Sequence, residues 1–226
     1  MNGFASVEGM SRVSADIFNA ELEGAYPFLS ELVDMRRRAR RHISAVSAAG
    51  AQGDQAQASP GQSAILQLLN EALVTELACV ERYRNHARLE SVVEPIKGEF
   101  LKYAQEEQGH AERLAQRIVQ LGGQPRVSVE CSRSSVPGDD QLDADAIVDM
   151  LEEDLIAERI AIDCYREIVQ FIGKSDSRTL ELLEDILAVE IGHARELAAI
   201  RAEMLRRDRL AGSTSTTLPQ LDLQCA

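Results

Sequence analysis

Residues 106–114 read EEQGHAERL and place a carboxylate and an imidazole three positions apart, at Glu107 and His110. Side chains three positions apart are neighbours on one face of an α-helix. On this face they continue into Ala111 and Leu114, which follow the spacing of a buried apolar stripe. The segment therefore predicts a helix that turns two ionisable groups toward its own core.

The same motif occurs a second time, at Glu190 and His193. A further glutamate precedes each copy, since 31 positions separate Glu76 from Glu107 and 32 separate Glu158 from Glu190. Each of these acids interrupts an apolar stripe of helical spacing. The chain therefore contains two similar units, and each supplies a glutamate followed by a Glu-x-x-His motif.

Tyrosines follow the same repeat. Tyr83 lies seven residues after Glu76, and Tyr165 lies seven residues after Glu158. Seven residues are two helical turns, so each tyrosine is expected on the face that carries its glutamate. This agreement strengthens the prediction of two related helix pairs.

Apolar periodicity predicts four long amphipathic helices, over about 63–91, 96–121, 142–172 and 176–207. Short turns join the first helix to the second and the third to the fourth. A longer polar connector separates the second helix from the third. The sequence thus predicts an all-α protein, an antiparallel four-helix bundle with a long crossover between its second and third helices.

Composition divides the chain into three parts. Residues 1–62 are predicted to be a helical N-terminal extension and linker, with one or two short helices broken near Pro27. Residues 63–207 form the predicted bundle. Residues 208–226 are predicted to be a flexible C-terminal tail.

The overall composition agrees with a helical protein and limits its partners. Hydrophobic residues make up 45% of the 226, aromatic residues only 4%, and there is no tryptophan. The formal net charge of −13 excludes nucleic-acid binding through the overall electrostatic field. No signal peptide or stretch of 18 apolar residues is visible, so we expect a cytoplasmic location without membrane insertion.

The four cysteines show no zinc-knuckle or disulfide pattern. Cys79 and Cys164 fall within helical patterns and are predicted to be small buried residues. The roles of Cys131 and Cys225 stay open.

Burying several carboxylates together requires compensation, because isolated buried charges are strongly unfavourable. Two divalent cations would balance about four negative charges, and neutral imidazoles would add nitrogen ligands. Carboxylate and imidazole ligands suit iron or manganese. One Glu-x-x-His motif is a weak signal, but two copies at matching spacing predict a dinuclear metal site. Its ligands are Glu76, Glu107, His110, Glu158, Glu190 and His193.

Residues 63–205 resemble the bacterioferritin branch of the ferritin-like superfamily. The resemblance rests on NEALVTELACVERYRNHAR, EQGHAER, LGGQP, DLIAE and the Glu-x-x-His of the fourth helix. It implies that Glu76 and Glu158 each bind one metal ion, that Glu107 and Glu190 bridge both ions, and that His110 and His193 complete the two positions.

The resemblance also assigns roles around the site. Tyr83 would lie beside it as a hydrogen-bond donor or an electron source, with an ordinary core position as the alternative. His86 would be a transient iron ligand or an outward-facing surface histidine. Gln108 stands where the family's haem-binding methionine is found, so no haem is expected.

The resemblance implies iron storage and detoxification. Two ferrous ions per subunit would be oxidised by dioxygen or peroxide, and the ferric product stored as mineral in a homo-oligomeric shell. The longer N-terminus resembles that of longer bacterioferritin-like proteins, some grouped with DNA-protecting mini-ferritins, so shells of 12 and 24 subunits are both open.

Two alternatives remain. One is a di-iron or di-manganese peroxidase or catalase on the same scaffold. The other is DNA protection through the basic N-terminal segment, which we favour less than a solvated or ion-paired helix face; its residues are Arg36, Arg37, Arg38, Arg40 and Arg41.

Overall fold

The computed structural model describes residues 27–51, 61–127 and 143–214. Within these ranges the chain forms five helices and no strand, which confirms the all-α prediction. The helices are α1 (Pro27–Ala51), α2 (Gln62–Arg88), α3 (Ile96–Gln120), α4 (Ala144–Ile172) and α5 (Ser177–Thr214).

Capping residues and glycines set the ends of the central helices. The Asp143 carboxylate accepts a hydrogen bond from the backbone N–H of Ala146 at 2.9 Å and caps the start of α4. Gly173 ends α4 with φ of 51°, and Gly122 follows α3 with φ of 76°. Glycine adopts these left-handed conformations without the steric penalty of a side chain.

Short turns at residues 89–95 and 173–176 make two helical hairpins, α2 with α3 and α4 with α5. Each hairpin packs along its length, and the two hairpins lie against each other. This is the predicted bundle of two similar pairs.

Two tyrosines show how the hairpins are oriented. Tyr83, late in α2, bonds to Glu158 in the middle of α4, and Tyr165, late in α4, bonds to Glu76 in the middle of α2. Helices α2 and α4 are therefore antiparallel, and α3 and α4 run in the same direction. The end of α3 and the start of α4 therefore lie at opposite ends of the bundle, which agrees with the predicted crossover.

The apolar core is divided in two. One cluster includes Phe100 and Leu151, and the other includes Leu69, Leu114 and Ile168; all five side chains are fully buried. Each such burial contributes about 1.5–3 kcal/mol to folding. In each of α2 to α5 the predicted ligands lie between residues of the first cluster and residues of the second. A band of charged side chains thus separates two apolar halves.

Helix α2 contains a long apolar stretch with few charged residues. It is long and apolar enough to cross a membrane by length and composition alone, but 72% of its most apolar window is buried inside the bundle. The central helix of a bundle is expected to look like this, because it is covered on several sides.

Helix α1 packs across α2 and α4. It starts at Pro27, where the missing N–H of proline is tolerated. Phe28, Leu29, Leu32 and Val33 are buried against the bundle. Helix α1 is therefore a fifth packed helix rather than a detached arm.

The basic run on α1 is paired with acidic residues of the bundle. Arg36 lies 2.6 Å and Arg40 2.8 Å from the Glu167 carboxylate of α4, and Arg38 lies 2.8 Å from Glu71 of α2. These pairs use part of the basic face within the chain. The ion-paired interpretation of this segment agrees with that arrangement.

Several predicted boundaries fall at or beyond the described ranges. Helix α5 continues to Thr214, past residue 208, where the predicted tail begins. Residues 1–26, 52–60, 128–142 and 215–226 lie outside the described residues, and so do Cys131 and Cys225. The predicted flexibility of the tail stays a prediction.

A buried ionic cluster joins α2 to α4 near one end of the bundle. Arg82 Nε donates to Asp154 at 2.5 Å, and His86 Nδ1 lies 3.0 Å from the other oxygen of the same carboxylate. The Phe28 ring of α1 covers the Arg82 guanidinium, whose central carbon lies 4.4 Å from the centroid of the ring. Burial alone would raise the pKa of Asp154, but His86 and Arg82 outweigh it and lower the pKa.

We expect Asp154→Ala to destabilise the protein by about 3–5 kcal/mol, because it leaves the buried Arg82 guanidinium without its main partner. The matched control is Asp163→Ala, whose half-exposed carboxylate pairs with Arg36 at 3.2 Å and should contribute less than about 1 kcal/mol. Urea unfolding of both variants, followed by circular dichroism at pH 7, measures the difference. An equal loss of unfolding free energy in the two variants would contradict the claim that the buried ion pair matters more than the exposed one.

Candidate metal centre

The middle of the bundle brings together all the residues that the sequence predicted as metal ligands. They come from all four helices of the two hairpins, and each is at most 4% exposed. The residues are Glu76, Glu107, His110, Glu158, Glu190 and His193.

Their ligand atoms form two overlapping groups that could each hold one metal ion. Glu76, Glu107, His110 and Glu190 offer one atom each within 4.8 Å of one another; we call this group the His110 position. The His193 position consists of Glu107, Glu158, Glu190 and His193, again within 4.8 Å. Glu107 and Glu190 belong to both groups and therefore lie between the two positions.

Both imidazoles turn Nδ1 toward the centre. Nδ1 of His110 lies 3.1 Å from Glu76 and 3.0 Å from Glu190. Nδ1 of His193 lies 3.1 Å from Glu107 and 3.7 Å from Glu190. The same nitrogen of each ring is thus available as a ligand atom.

The two tyrosine hydroxyls orient the two outer carboxylates. Tyr83 donates to Glu158, and Tyr165 donates to Glu76 at 2.5 Å. Each tyrosine thus supports the glutamate of the opposite hairpin. Tyr83 was predicted beside the site. Tyr165 was identified only as part of the repeat, although its equal spacing from Glu158 was the signal for the same role.

Two groups next to His193 were missed by sequence reasoning. The Glu106 carboxylate lies 2.8 Å from His193 Nε2, and the Tyr103 ring lies 4.7 Å from the imidazole, centroid to centroid. Glu106 is adjacent to a predicted ligand and 38% exposed at its side chain, so it has the pattern of a surface acid. No sequence signal separates it from the other acids on the exposed face of α3.

Other predicted residues lie outside the centre. His86 is buried and paired with Asp154, so the interpretation as an outward-facing histidine is wrong. Gln108 lies on the half-buried outer side of α3, where it donates to Glu112 at 3.1 Å. Cys79 is buried beside the glutamates, and its burial, followed by the charge of Glu107, raises the pKa of the thiol.

The electrostatics show a site that must hold protons or cations. Burial, together with repulsion from Glu190, raises the pKa values of Glu107 and Glu158. Burial opposes protonation of both imidazoles, but hydrogen bonds to the glutamates outweigh it and raise the pKa to about 12 for His110 and about 9 for His193. Burial also acts against ionised Glu190, but the two histidines lower its pKa to about 2.

The donor set fits two divalent cations. Among the described residues, three buried atoms of the centre have no hydrogen-bond partner: Glu107 Oε1, Glu190 Oε1 and His193 Nδ1. The close approach of His193 Nδ1 to Glu107 therefore lacks the alignment of a hydrogen bond. Unpartnered buried polar atoms are unfavourable, and ligation would satisfy them. Oxygen and imidazole donors without thiolate suit iron, manganese or zinc.

Comparison with known proteins agrees with the fold. Among curated relatives, the DNA protection during starvation protein of Pyrococcus furiosus is 35% identical over 136 residues, covering 57% of this chain and 72% of that protein. The bacterioferritin of Rhodobacter capsulatus is 26% identical over 140 residues, covering 59% of this chain and 80% of that protein.

A solved structure extends the similarity to three dimensions. The bacterioferritin-related protein of Bacteroides fragilis, a dodecameric thioferritin, aligns with a TM-score of 0.57 and 26% identity, covering 70% of this chain and 93% of that one. The family model of the ferritin-like domain matches residues 66–206, from α2 through most of α5. The resemblance drawn from the sequence is confirmed: this chain belongs to the ferritin-like family.

Proposed function

We propose that this protein is a ferroxidase that oxidises Fe(II) to Fe(III) at the candidate metal centre and stores the product. One observation carries the proposal: two four-ligand groups overlap in a buried bundle centre and share Glu107 and Glu190. Shared carboxylates hold two cations close together, which suits the transfer of two electrons to one oxidant.

The roles follow from the two groups. Glu76 and His110 would bind the ion at the His110 position, and Glu158 and His193 the ion at the His193 position. Glu107 and Glu190 would bridge both ions. When bound, two ferrous ions supply two electrons together to dioxygen or peroxide.

Neighbouring residues prepare the ligands for this task. The hydroxyls of Tyr83 and Tyr165 hold Glu158 and Glu76, so these carboxylates do not have to be reoriented when an ion arrives. The apolar clusters above and below the charged band exclude water and strengthen the electrostatic interactions within it. Tyr83, buried beside Glu158, is also our candidate for an additional electron source.

Storage and assembly are further parts of the proposal. We propose that the chain assembles into a homo-oligomeric shell around a mineral core, as the dodecameric Bacteroides fragilis protein supports for 12 subunits. A shell of 24 subunits is the alternative. We propose no haem, because the Gln108 amide does not provide the thioether ligand of the family's methionine. The predicted cytoplasmic location stays a prediction.

Two rival activities have specific support. A di-iron or di-manganese peroxidase or catalase would use the same carboxylate and imidazole donors. DNA protection is suggested by the name of the Pyrococcus furiosus relative. Against DNA binding, Arg36, Arg38 and Arg40 already pair with acidic residues of the bundle. We therefore keep ferroxidase activity with iron storage as the main proposal.

We expect Glu107→Ala and His193→Ala each to slow aerobic Fe(II) oxidation by at least about 100-fold, because each removes a ligand of the candidate centre. The matched control is Glu112→Gln, an exposed acid five positions after Glu107 on α3. Stopped-flow absorbance of Fe(III) formation measures the rates. Normal rates of Fe(II) oxidation in both ligand variants would contradict the assignment of the site.

Metal uptake should release protons at pH 7. The pKa values of His110 and His193, about 12 and about 9, keep both imidazoles protonated in the metal-free protein, and ligation through Nδ1 requires the neutral form. Apparent metal affinity should therefore rise with pH throughout the range below about 9, where both imidazoles must lose a proton to bind. Calorimetry with Zn(II) in buffers of different ionisation enthalpy counts the protons, and binding without proton release would contradict the protonated resting state.

Iron storage predicts dense cores inside hollow particles. After aerobic loading with Fe(II), electron microscopy of the full-length protein should show electron-dense mineral within closed shells. The same protein loaded with Mn(II) should not disproportionate peroxide rapidly. Fast peroxide disproportionation without mineral cores would favour the catalase alternative over storage.

A further inference from the structure

The internal repeat allows the two metal positions to be compared residue by residue. A shift of 83 places Glu107 on Glu190 and His110 on His193. The same shift places Glu106 on Val189, so a carboxylate next to one position corresponds to an aliphatic side chain next to the other.

Tyr103 shows the same asymmetry, because its counterpart under this shift is Ile186. The ligands of the two positions thus follow the repeat, but the residues behind the two histidines do not. Glu106 and Tyr103, the polar and the aromatic member of the two pairs, both lie beside His193.

His193 is held on its outer side by these two residues. Its Nε2 lies 2.8 Å from Glu106 Oε2, while Nδ1 faces the centre. The Tyr103 ring packs against the imidazole at 4.7 Å with an interplanar angle of 49°. A proton on Nε2, donated to Glu106, leaves the Nδ1 lone pair directed at the His193 position. A carboxylate on the outer nitrogen also makes an imidazole a stronger ligand.

Among the residues that the structure describes, none gives His110 equivalent support at the corresponding place. The hydrogen bonds found for its ring within the described ranges run from Nδ1 to Glu76 and Glu107, inside the centre. Val189, the counterpart of Glu106, is half-buried and has no side-chain acceptor. The residues behind the two imidazoles therefore orient His193 but not His110.

We propose that Glu106 acts as a positioning residue that makes the His193 position the tighter of the two, so that the first divalent cation fills it before the His110 position. This inference rests on the proposed ligand assignment. The Glu106 side chain is 38% exposed, so water screens its direct attraction for the ion. Its effect therefore acts mainly through the hydrogen bond to His193, and loss of such a partner weakens metal binding by about 10- to 100-fold.

Calorimetric titration of the full-length protein with Zn(II), which undergoes no oxidation, provides the test. We expect two binding steps in the parent protein. Glu106→Ala should weaken the tighter step by about 10- to 100-fold and leave the weaker step unchanged. Gln105→Ala, an exposed neighbour on the same helix, is the matched control and should change neither step. Surface binding is subtracted with Glu107→Ala, which removes a ligand common to both positions.

Two further measurements assign the steps to their positions. A crystal of protein given one equivalent of Zn(II) should show anomalous scattering mainly at the His193 position. Val189→Glu places a carboxylate at the repeat counterpart of Glu106, and it should strengthen the weaker step and narrow the difference between the two.

Three outcomes would overturn the inference: two indistinguishable steps in the parent, equal weakening of both steps in Glu106→Ala, or zinc first at the His110 position. Two equal steps combined with normal iron oxidation would overturn this inference alone. Failure to bind two ions at the centre would overturn the proposed function as well.

Discussion

Charge neutrality at the centre of the bundle is the constraint on which the rest depends. Four glutamates and two histidines are buried where the chain has placed apolar clusters on either side. Ionised groups in such a setting are strongly unfavourable unless opposite charge or protons compensate them. The raised pKa values of the two imidazoles show how protons serve this purpose without a cation. Divalent cations would replace those protons and satisfy the atoms that hydrogen bonds leave unpartnered.

The arrangement also explains why so much of the molecule is duplicated. Each hairpin supplies half of the ligands, and each tyrosine supports a glutamate of the other hairpin. Neither hairpin alone offers a complete four-ligand group, because both groups draw on Glu107 and Glu190. The site exists only where the two hairpins meet, so formation of the fold and formation of the site are the same event.

The fold and the set of candidate metal ligands could be predicted from the sequence because both depend on local spacing. Glu107 and His110 interrupt an apolar stripe at helical intervals, and such interruptions are visible without a structure. Residues whose roles depend on a distant partner were not visible. His86 is buried because Asp154, 68 positions away, accepts its hydrogen bond. Glu106 becomes a partner of His193 only through the packing of α3 against α5.

Helix α1 shows the same limit of prediction from sequence. Its basic residues, read alone, suggest an arm for a polyanion. In the folded chain, Arg36 and Arg40 both lie against Glu167, and Arg38 lies against Glu71. Charge patterns predict a partner of opposite sign, and only the tertiary structure decides whether that partner belongs to the same chain.

The crossed tyrosine bonds have a mechanical consequence. Moving α2 along α4 by one turn, about 5.4 Å, would carry both phenols out of reach of their carboxylates at once. These two hydrogen bonds therefore resist sliding of α2 along α4. They fix the position of one hairpin along the other.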